Sequence, residues 1–178
     1  MDTEEWHPPT EAAMPVGPQS FPDAGVNSLA PIGLRAAARA LDWVVVSVPA
    51  MAVFTVAALA TVGLEGDAEE MAGDLTLYLW FTASFFLFSF LYETVAVALW
   101  GQTLGKLVLG LRVARQANGR CPLWWEAGIR VALPGVISAV PHPAAVAAAI
   151  VLYGMASFDP MRRSVPDRAA GTVVVRSR

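Results

Sequence analysis

Two long apolar runs without a charged residue, Trp43–Leu64 and Leu75–Tyr92, restrict what this chain can fold into. The hydrocarbon core of a bilayer is roughly 30 Å thick, and about 20 apolar residues of helix cross it. Both runs are close to that length. Charged residues are 15% of the chain and its mean hydropathy is +0.52, whereas a soluble domain carries about 25% charge. The pattern predicts an integral membrane protein.

The apolar pattern predicts an all-α transmembrane bundle of four helices, at about residues 35–64, 75–100, 125–140 and 143–158. The turn between the last two would be Pro141-His142-Pro143. A bundle of three membrane helices is the alternative, because each of the last two is short for a full crossing. The membrane domain would cover residues 34–178. Residues 1–33 are rich in proline and lack periodicity, which predicts a disordered cytoplasmic tail.

Acidic and basic residues are segregated along the chain, and this predicts its orientation. The loop from Glu65 to Asp74 has acidic residues and no Lys or Arg, while Lys and Arg collect after residue 100. The positive-inside rule then places the acidic loop outside and both the N- and C-termini in the cytoplasm. The expected partners are the lipid bilayer and either other membrane proteins or a second copy in a homo-oligomer. No feature indicates nucleic-acid binding.

A short β element is predicted on the cytoplasmic side. Asn118-Gly119 is a typical two-residue hairpin turn, and it predicts strands at Leu111–Gln116 and Arg120–Leu123. The stretch Gly171–Arg176 has the same pattern as Gly110–Arg115. We therefore hypothesise that these two stretches pair into a small sheet beneath the bundle.

Ionisable residues cost about 2.5–3.5 kcal/mol at the centre of a membrane helix, so each requires a partner or a function. Arg35, Arg39 and Asp42 are spaced to share one helix face. The four-helix arrangement gathers a larger set at the inner ends of the helices: Arg39, Asp42, Glu93, Arg130 and Asp159. Either these residues form a salt-bridge network that fixes helix register, or Asp42 and Glu93 line a cavity that binds a cation or relays protons.

Basic side chains further along the chain are candidates for contacts with anionic lipid headgroups. They are Lys106, Arg112, Arg115, Arg162 and Arg163. Leu104, Leu107 and Val108 recur near them at helical spacing, which predicts a short amphipathic segment in the membrane interface.

Motifs for catalysis or cofactor binding fail on their spacing. Between Gly101 and the Gly105-Lys106 pair lie three residues, where a phosphate loop has four and a Ser or Thr after the lysine. His142 lacks a second histidine at metal-ligand spacing. Cys121 is the lone cysteine and excludes an internal disulfide. We expect no cofactor, no metal and no enzymatic activity.

Several stretches of the chain together resemble one family. They are Arg35-x-x-Ala38-x-x-x-Asp42, the loop Gly101–Val113, Asn118-Gly119 with Arg130, and the closing stretch Arg162–Val174. This set resembles the RDD family of bacterial membrane proteins, which is named after one arginine and two aspartates. Arg35 and Asp42 match the first two, and the second aspartate is Asp167 or Asp159. Pro166 stands where the family often has histidine.

The resemblance implies a small multi-pass protein of the bacterial plasma membrane. Some relatives have been linked to sodium/proton exchange, so transport is permitted by analogy. The function that we favour from the sequence is an accessory or scaffold component of the membrane with a charge network on its cytoplasmic side. The alternative is a small cation/proton exchanger that uses Asp42 and Glu93.

Overall fold

A computed structural model describes residues 20–61, 63, 74–138 and 143–178. The fold is mostly helical, with one small antiparallel sheet. In chain order its elements are α1 (Ile32–Thr61), α2 (Leu75–Trp100), α3 (Leu104–Val108), β1 (Leu111–Arg115), α4 (Trp124–Ser138), α5 (Pro143–Gly154), a 3₁₀ turn (Met155–Ser157), α6 (Val165–Ala169) and β2 (Thr172–Arg176).

Helices α1 and α2 are long and apolar enough to cross a membrane. Only 17% of the apolar window of α1 and 28% of that of α2 are buried inside the protein. Most of their apolar side chains therefore face outward, as expected of helices surrounded by lipid. Helices α4 and α5 have 15 and 12 residues, which is short for a full crossing. Helices therefore form at all four positions that the sequence predicts, but among the described residues only α1 and α2 have the length and composition of a span.

Helix α2 runs over the residues that the sequence predicts because both of its ends are capped. The Asp74 carboxylate accepts hydrogen bonds from the backbone N–H groups of Thr76, at 2.6 Å, and Leu77, at 3.4 Å. At the other end Gly101 takes the left-handed conformation, with φ of 68°, and its N–H bonds to the Val97 carbonyl. A side chain would strain that conformation, so the glycine ends the helix.

The helices pack in the order α1, α2, α4 and α5. Phe54 of α1 meets Phe81 of α2 edge to face, with ring centroids 5.8 Å apart. Gly135 of α4 lies against the ring of Phe86, where an added Cβ would be 2.3 Å from a ring carbon. A small residue at this position lets α4 approach α2 closely, as is common between membrane helices.

Strands β1 and β2 pair antiparallel, from Leu111 opposite Arg176 to Arg115 opposite Thr172. This is the pairing hypothesised from the repeated sequence pattern. Both faces of the sheet are covered. One face packs with Ala38, Val97 and Ala127 of the helices, and the other packs with Phe21 and Met161. The consecutive valines of β2 are therefore all buried, which explains why their sequence does not alternate with polar residues.

The predicted hairpin strand at Arg120–Leu123 is wrong. The turn closes, since the Arg115 N–H donates to the Arg120 carbonyl at 2.9 Å, but the chain then leaves β1 without forming a strand. Pro122 has no N–H to donate to a ladder. The edge of β1 is instead met by the end of α2, where the Val113 N–H donates to the Gly101 carbonyl at 2.7 Å.

Part of the predicted tail is packed on the sheet. Leu29 forms a β-bridge with Val175, and the Ala30 N–H donates to the Val174 carbonyl at 3.0 Å. Phe21 is buried in the core on the face of the sheet that also packs with Met161. The segment from Phe21 to Ala30 thus differs from the disordered tail expected over residues 1–33. Residues 1–19, most of the acidic loop and the His142 turn lie outside the described residues.

Candidate functional site

The three charged residues of α1 reach three different parts of the protein. Arg35 pairs with Asp167 of α6 and also donates to the Arg162 carbonyl. Arg39 pairs with Glu93 of α2. Asp42 accepts hydrogen bonds from Thr103, just before α3, and from Gly105 within α3. One face of α1 therefore joins α6 and the chain just before it to α2 and α3.

Asp42 is 3% exposed and is held by three donors. Its Oδ2 accepts from the Thr103 hydroxyl at 2.6 Å, and its Oδ1 accepts from the Gly105 N–H and the Tyr92 hydroxyl, both at 2.9 Å. The Tyr92 oxygen in turn accepts from the Leu104 N–H at 2.7 Å. Since a buried carboxylate is costly without donors, this shell makes its burial tolerable.

The packing of α3 against α1 explains why a glycine is needed at position 105. A Cβ at this position would lie 2.2 Å from the Ala38 carbonyl oxygen and 3.0 Å from Asp42 Oδ1. Only a residue without a side chain lets α3 approach α1 closely enough for the backbone N–H to reach the carboxylate. The loop that superficially has the composition of a phosphate loop instead binds an aspartate of its own chain.

Lys106 is turned inward, between two carboxylates. Its Nζ is 3.4 Å from Glu93 Oε1 and 3.9 Å from Asp42 Oδ2, and the residue is 8% exposed. Burial lowers the pKa of this amine from its usual value, and the charge of Glu93 offsets part of that effect,. The headgroup contact predicted for Lys106 does not agree with this placement.

Glu93 is 2% exposed and pairs with both Arg39 and Lys106. Arg39 also donates to the Tyr153 hydroxyl at 2.6 Å, and its guanidinium lies 5.0 Å from the centroid of the same ring. Helix α5 is thereby joined to α1 and α2 through one arginine. Desolvated cation–π contacts of this kind add to the charge pairing.

Asp167 is the most deeply buried carboxylate of the site, with no exposed surface. Arg35 pairs with its Oδ2, while Arg130 Nη2 lies 2.8 Å from its Oδ1 without the geometry of a hydrogen bond. The Ser164 hydroxyl and N–H donate to Oδ2 at 2.7 and 3.0 Å. Burial alone would raise the pKa of Asp167, but the charges of Arg130 and Arg35 and the Ser164 hydrogen bonds hold it well below its usual value.

Asp159 takes no part in this arrangement. Its carboxylate pairs with Arg163, at 3.1 Å, and accepts from the Met161 and Arg163 backbone N–H groups within one turn. Among the described residues, Asp167 is thus the aspartate that reaches Arg35. This geometry favours Asp167 over Asp159 as the second aspartate of the motif.

The other basic residues predicted to meet lipid headgroups also have protein partners. Arg115 pairs with Glu126 at 3.0 Å, and Arg163 donates to the Gln116 side chain at 2.8 Å. Arg112 donates to the Gly119 carbonyl at 3.5 Å, and Arg162 to the Leu29 carbonyl at 3.3 Å. These contacts occupy part of the donors that the prediction assigned to headgroups.

Sequence reasoning missed the neutral side chains that complete the site: Tyr92, Thr103, Tyr153, Ser164 and Thr172. The sequence contained a signal for one of these residues. Ser164 precedes Asp167 by three residues, and the two form a capping box at the start of α6, which is a recognisable sequence pattern. The inward direction of Lys106 had no comparable signal, because it depends on how α3 docks on α1.

The charges form two linked groups at one end of the long helices. Asp42, Glu93, Arg39 and Lys106 form the first, and Asp167, Arg35 and Arg130 form the second. Among the described residues, no three His, Cys, Asp or Glu side chains are grouped to hold a metal ion. The arrangement can join five elements of the fold by ion pairs, and its carboxylates face cations rather than each other.

These features define a small helical membrane protein with a buried charge network at one end of its spans. The chain belongs to the RDD family, whose family model matches residues 29–171. No curated protein and no solved structure matches the chain.

Proposed function

We propose that this RDD-family protein is a multi-pass component of the bacterial plasma membrane that acts as an accessory or scaffold subunit. Its four helices would all enter the bilayer, with α4 and α5 forming a short helical hairpin. The basic segments would place both termini and the β1–β2 sheet in the cytoplasm. The antiparallel pairing of β1 with β2 supports the part of this topology that requires both strands on one side.

The observation that carries the scaffold proposal is the pairing of the three buried carboxylates of the charge network. Asp42, Glu93 and Asp167 each already contact donors or cations of the same chain. A carrier must expose at least one such group to a water-filled path, whereas a scaffold can keep every charge paired. Paired charges that join several helices fix their relative positions, which is the property that a platform for other membrane proteins requires.

The apolar surface of the spans supplies room for such partners. Val48, Met51 and Val56 of α1 and Leu79 and Leu87 of α2 are exposed large apolar side chains. In a bilayer this surface meets lipid or another helix. The scaffold role assigns part of it to neighbouring membrane proteins or to a second copy.

A flux assay combined with a stability assay tests the proposal. Purified native chain, Asp42→Asn and Glu93→Gln are reconstituted into liposomes that contain a pH-sensitive dye, and sodium and proton gradients are imposed. We expect background flux from all three proteins and a lower unfolding temperature for both variants. Asp159→Asn is the matched control, because Asp159 pairs only within its own turn. Native flux above empty liposomes that Asp42→Asn abolishes would overturn the scaffold role.

The second candidate function is cation/proton exchange. The observation that favours it is the Lys106 ammonium, which lies between Asp42 and Glu93 as a cation held by the chain itself. A mobile cation could compete with that ammonium for the same two carboxylates. Sodium-dependent flux in the assay above, lost in both carboxylate variants, would support this function.

The orientation has its own test. In a Cys121→Ser background, single cysteines replace exposed residues just beyond the ends of the two strands, at Ala117 and Arg178, and membrane-impermeant maleimide is applied to intact cells. We expect protection of both positions and labelling of both after permeabilisation. Labelling of either position in intact cells would contradict cytoplasmic placement of the sheet.

A further inference from the structure

An apolar groove lies beside the charge network, at the end of α2. Its volume is about 640 Å³, and its walls are Leu91, Val95, Ala96 and Trp100 of α2 with Leu104 and Leu107 of α3. This volume is in the range of pockets that hold small molecules, roughly 300–1,000 Å³. The groove is separate from the ion pairs and has no role in the proposed scaffold function.

The three polar residues that line the groove, Tyr92, Gln102 and Thr103, use their donors within the protein. The Gln102 amide donates to the Leu111 carbonyl at 3.0 Å and to the Ser177 hydroxyl at 3.2 Å. The Tyr92 hydroxyl donates to Asp42 and accepts from the Leu104 N–H, and the Thr103 hydroxyl donates to Asp42. Their donors are therefore engaged, and they present mainly ring and methyl carbon to the groove. No formally charged residue is among its lining residues. An occupant must consequently be apolar along most of its length.

The groove continues a lipid-facing stripe of α2. Leu87, Leu91 and Val95 follow one another at intervals of four residues, so they lie on one helix face, and all three are exposed. The stripe runs along a helix that has the length and hydropathy of a span. It leads from the apolar middle of α2 into the groove beneath α3. All three members of the stripe are apolar, so it offers a hydrocarbon chain an apolar surface up to the groove.

The mouth of the groove has the composition of a membrane interface. Trp100 is 66% exposed at the end of α2, and tryptophan is enriched at headgroup depth. At the same end of the protein, the exposed Arg178 guanidinium donates to the Val108 carbonyl at the end of α3. This positive charge favours an anionic headgroup over a zwitterionic one.

We propose that the groove between α2 and α3 binds one acyl chain of an anionic membrane phospholipid, with the headgroup at the Trp100 end. The bound chain would fill the space beside the Asp42 shell and help to hold α3 on α1. This proposal is independent of whether the protein acts as a scaffold or as a carrier.

Native mass spectrometry of the full chain in a nonionic detergent tests the proposal, with phosphatidylglycerol as the probe. Val95→Trp and Leu107→Trp fill the groove from opposite walls. Val136→Trp is the matched control, because Val136 is exposed on α4 and does not line the groove. Unfolding temperatures of all four proteins show whether each variant folds.

We expect one saturable phospholipid adduct on the native chain and on Val136→Trp. The apparent affinity should be about tenfold weaker in both groove variants, and phosphatidylcholine should bind the native chain more weakly than phosphatidylglycerol. A native chain without a saturable adduct, or equal affinity in all four proteins, would overturn the proposal. A native dimer that Val95→Trp and Leu107→Trp dissociate would also overturn it, because the occupant would then be a second copy.

Discussion

The two ends of the long helices are stabilised in different ways. At the end that holds Asp42 and Glu93, the side chains are buried and polar, and each ion pair joins separate elements. Toward the other end, the contacts are apolar, such as Phe54 against Phe81, and large side chains such as Val56 remain exposed. Lipid can replace the outer contacts of an apolar helix, but it cannot solvate an unpaired carboxylate. Substitutions at the charged end should therefore cost far more stability.

The largest effect is expected from Asp167→Asn. The substitution leaves Arg35 and Arg130 without their shared carboxylate, and removal of one partner from a buried pair costs about 3–5 kcal/mol. The free energy of unfolding in detergent measures this loss. Asp159→Asn is the control and should lose much less, because Asp159 is only partly buried and pairs locally. Equal losses in the two variants would remove the distinction between the buried and local pairs.

A second large effect is expected from Gly105→Ala. The added methyl group would overlap the Ala38 carbonyl at 2.2 Å, so α3 must shift and Asp42 loses its backbone donor. We expect a loss of about 3 kcal/mol, as for overpacking of a tight core. Gly154→Ala is the matched control, since nothing lies within 4 Å of its added Cβ. A neutral Gly105→Ala would show that α3 is not held closely on α1.

The stability of the charged end should fall in acid. The pKa of Asp167 is lower in the folded protein than the usual value of 3.8, so the folded state favours the carboxylate. The contribution of the Asp167 carboxylate to folding stability is present above about pH 4 and is lost as the pH falls below that value. The free energies of unfolding of the native chain and of Asp167→Asn, measured from pH 7 to pH 3, should converge as the pH falls. A difference that stays constant over this range would contradict the assigned pKa shift.

Lys106→Met should cost less than Asp167→Asn, about 1 kcal/mol, because both carboxylates that face the ammonium keep other partners and are not left unpaired. Glu93 keeps Arg39, and Asp42 keeps its three donors. Thermal unfolding checks the size of the change. A loss as large as that of Asp167→Asn would mean that the ammonium is the centre of the network.

The smallest effect is expected in the apolar region. Val56→Ala removes part of a side chain that is 68% exposed, so the change should stay within about 0.5 kcal/mol. Thermal unfolding in the same detergent is the measurement. A larger loss would indicate that this surface of α1 packs against a second copy or another partner retained during purification.

The sequence predicted the long helices well, because length and hydropathy are local properties. Of the predicted charge set, Arg39, Asp42, Glu93 and Arg130 lie in the two groups of ion pairs, whereas Asp159 does not. Helix α2 could be bounded from Asp74 and Gly101 alone. The partner of β1 could be inferred only from the repeated Gly-x-x-x-x-Arg pattern, and Asn118-Gly119 misled the assignment because a turn does not require a strand on both sides. The inward position of Lys106 could not be predicted, since it depends on the approach of Gly105 to Ala38.

The β-bridge between Leu29 and Val175 has a consequence for how the protein is made. The chain just before α1 rests on β2, and Arg35 pairs with Asp167, which follows it by 132 residues. The ribosome must therefore reach Asp167 and Val175 before these contacts can form. Until then Arg35 lacks its carboxylate, so the ion pair between Arg35 and Asp167 forms late, after α1 and α2 have been synthesised.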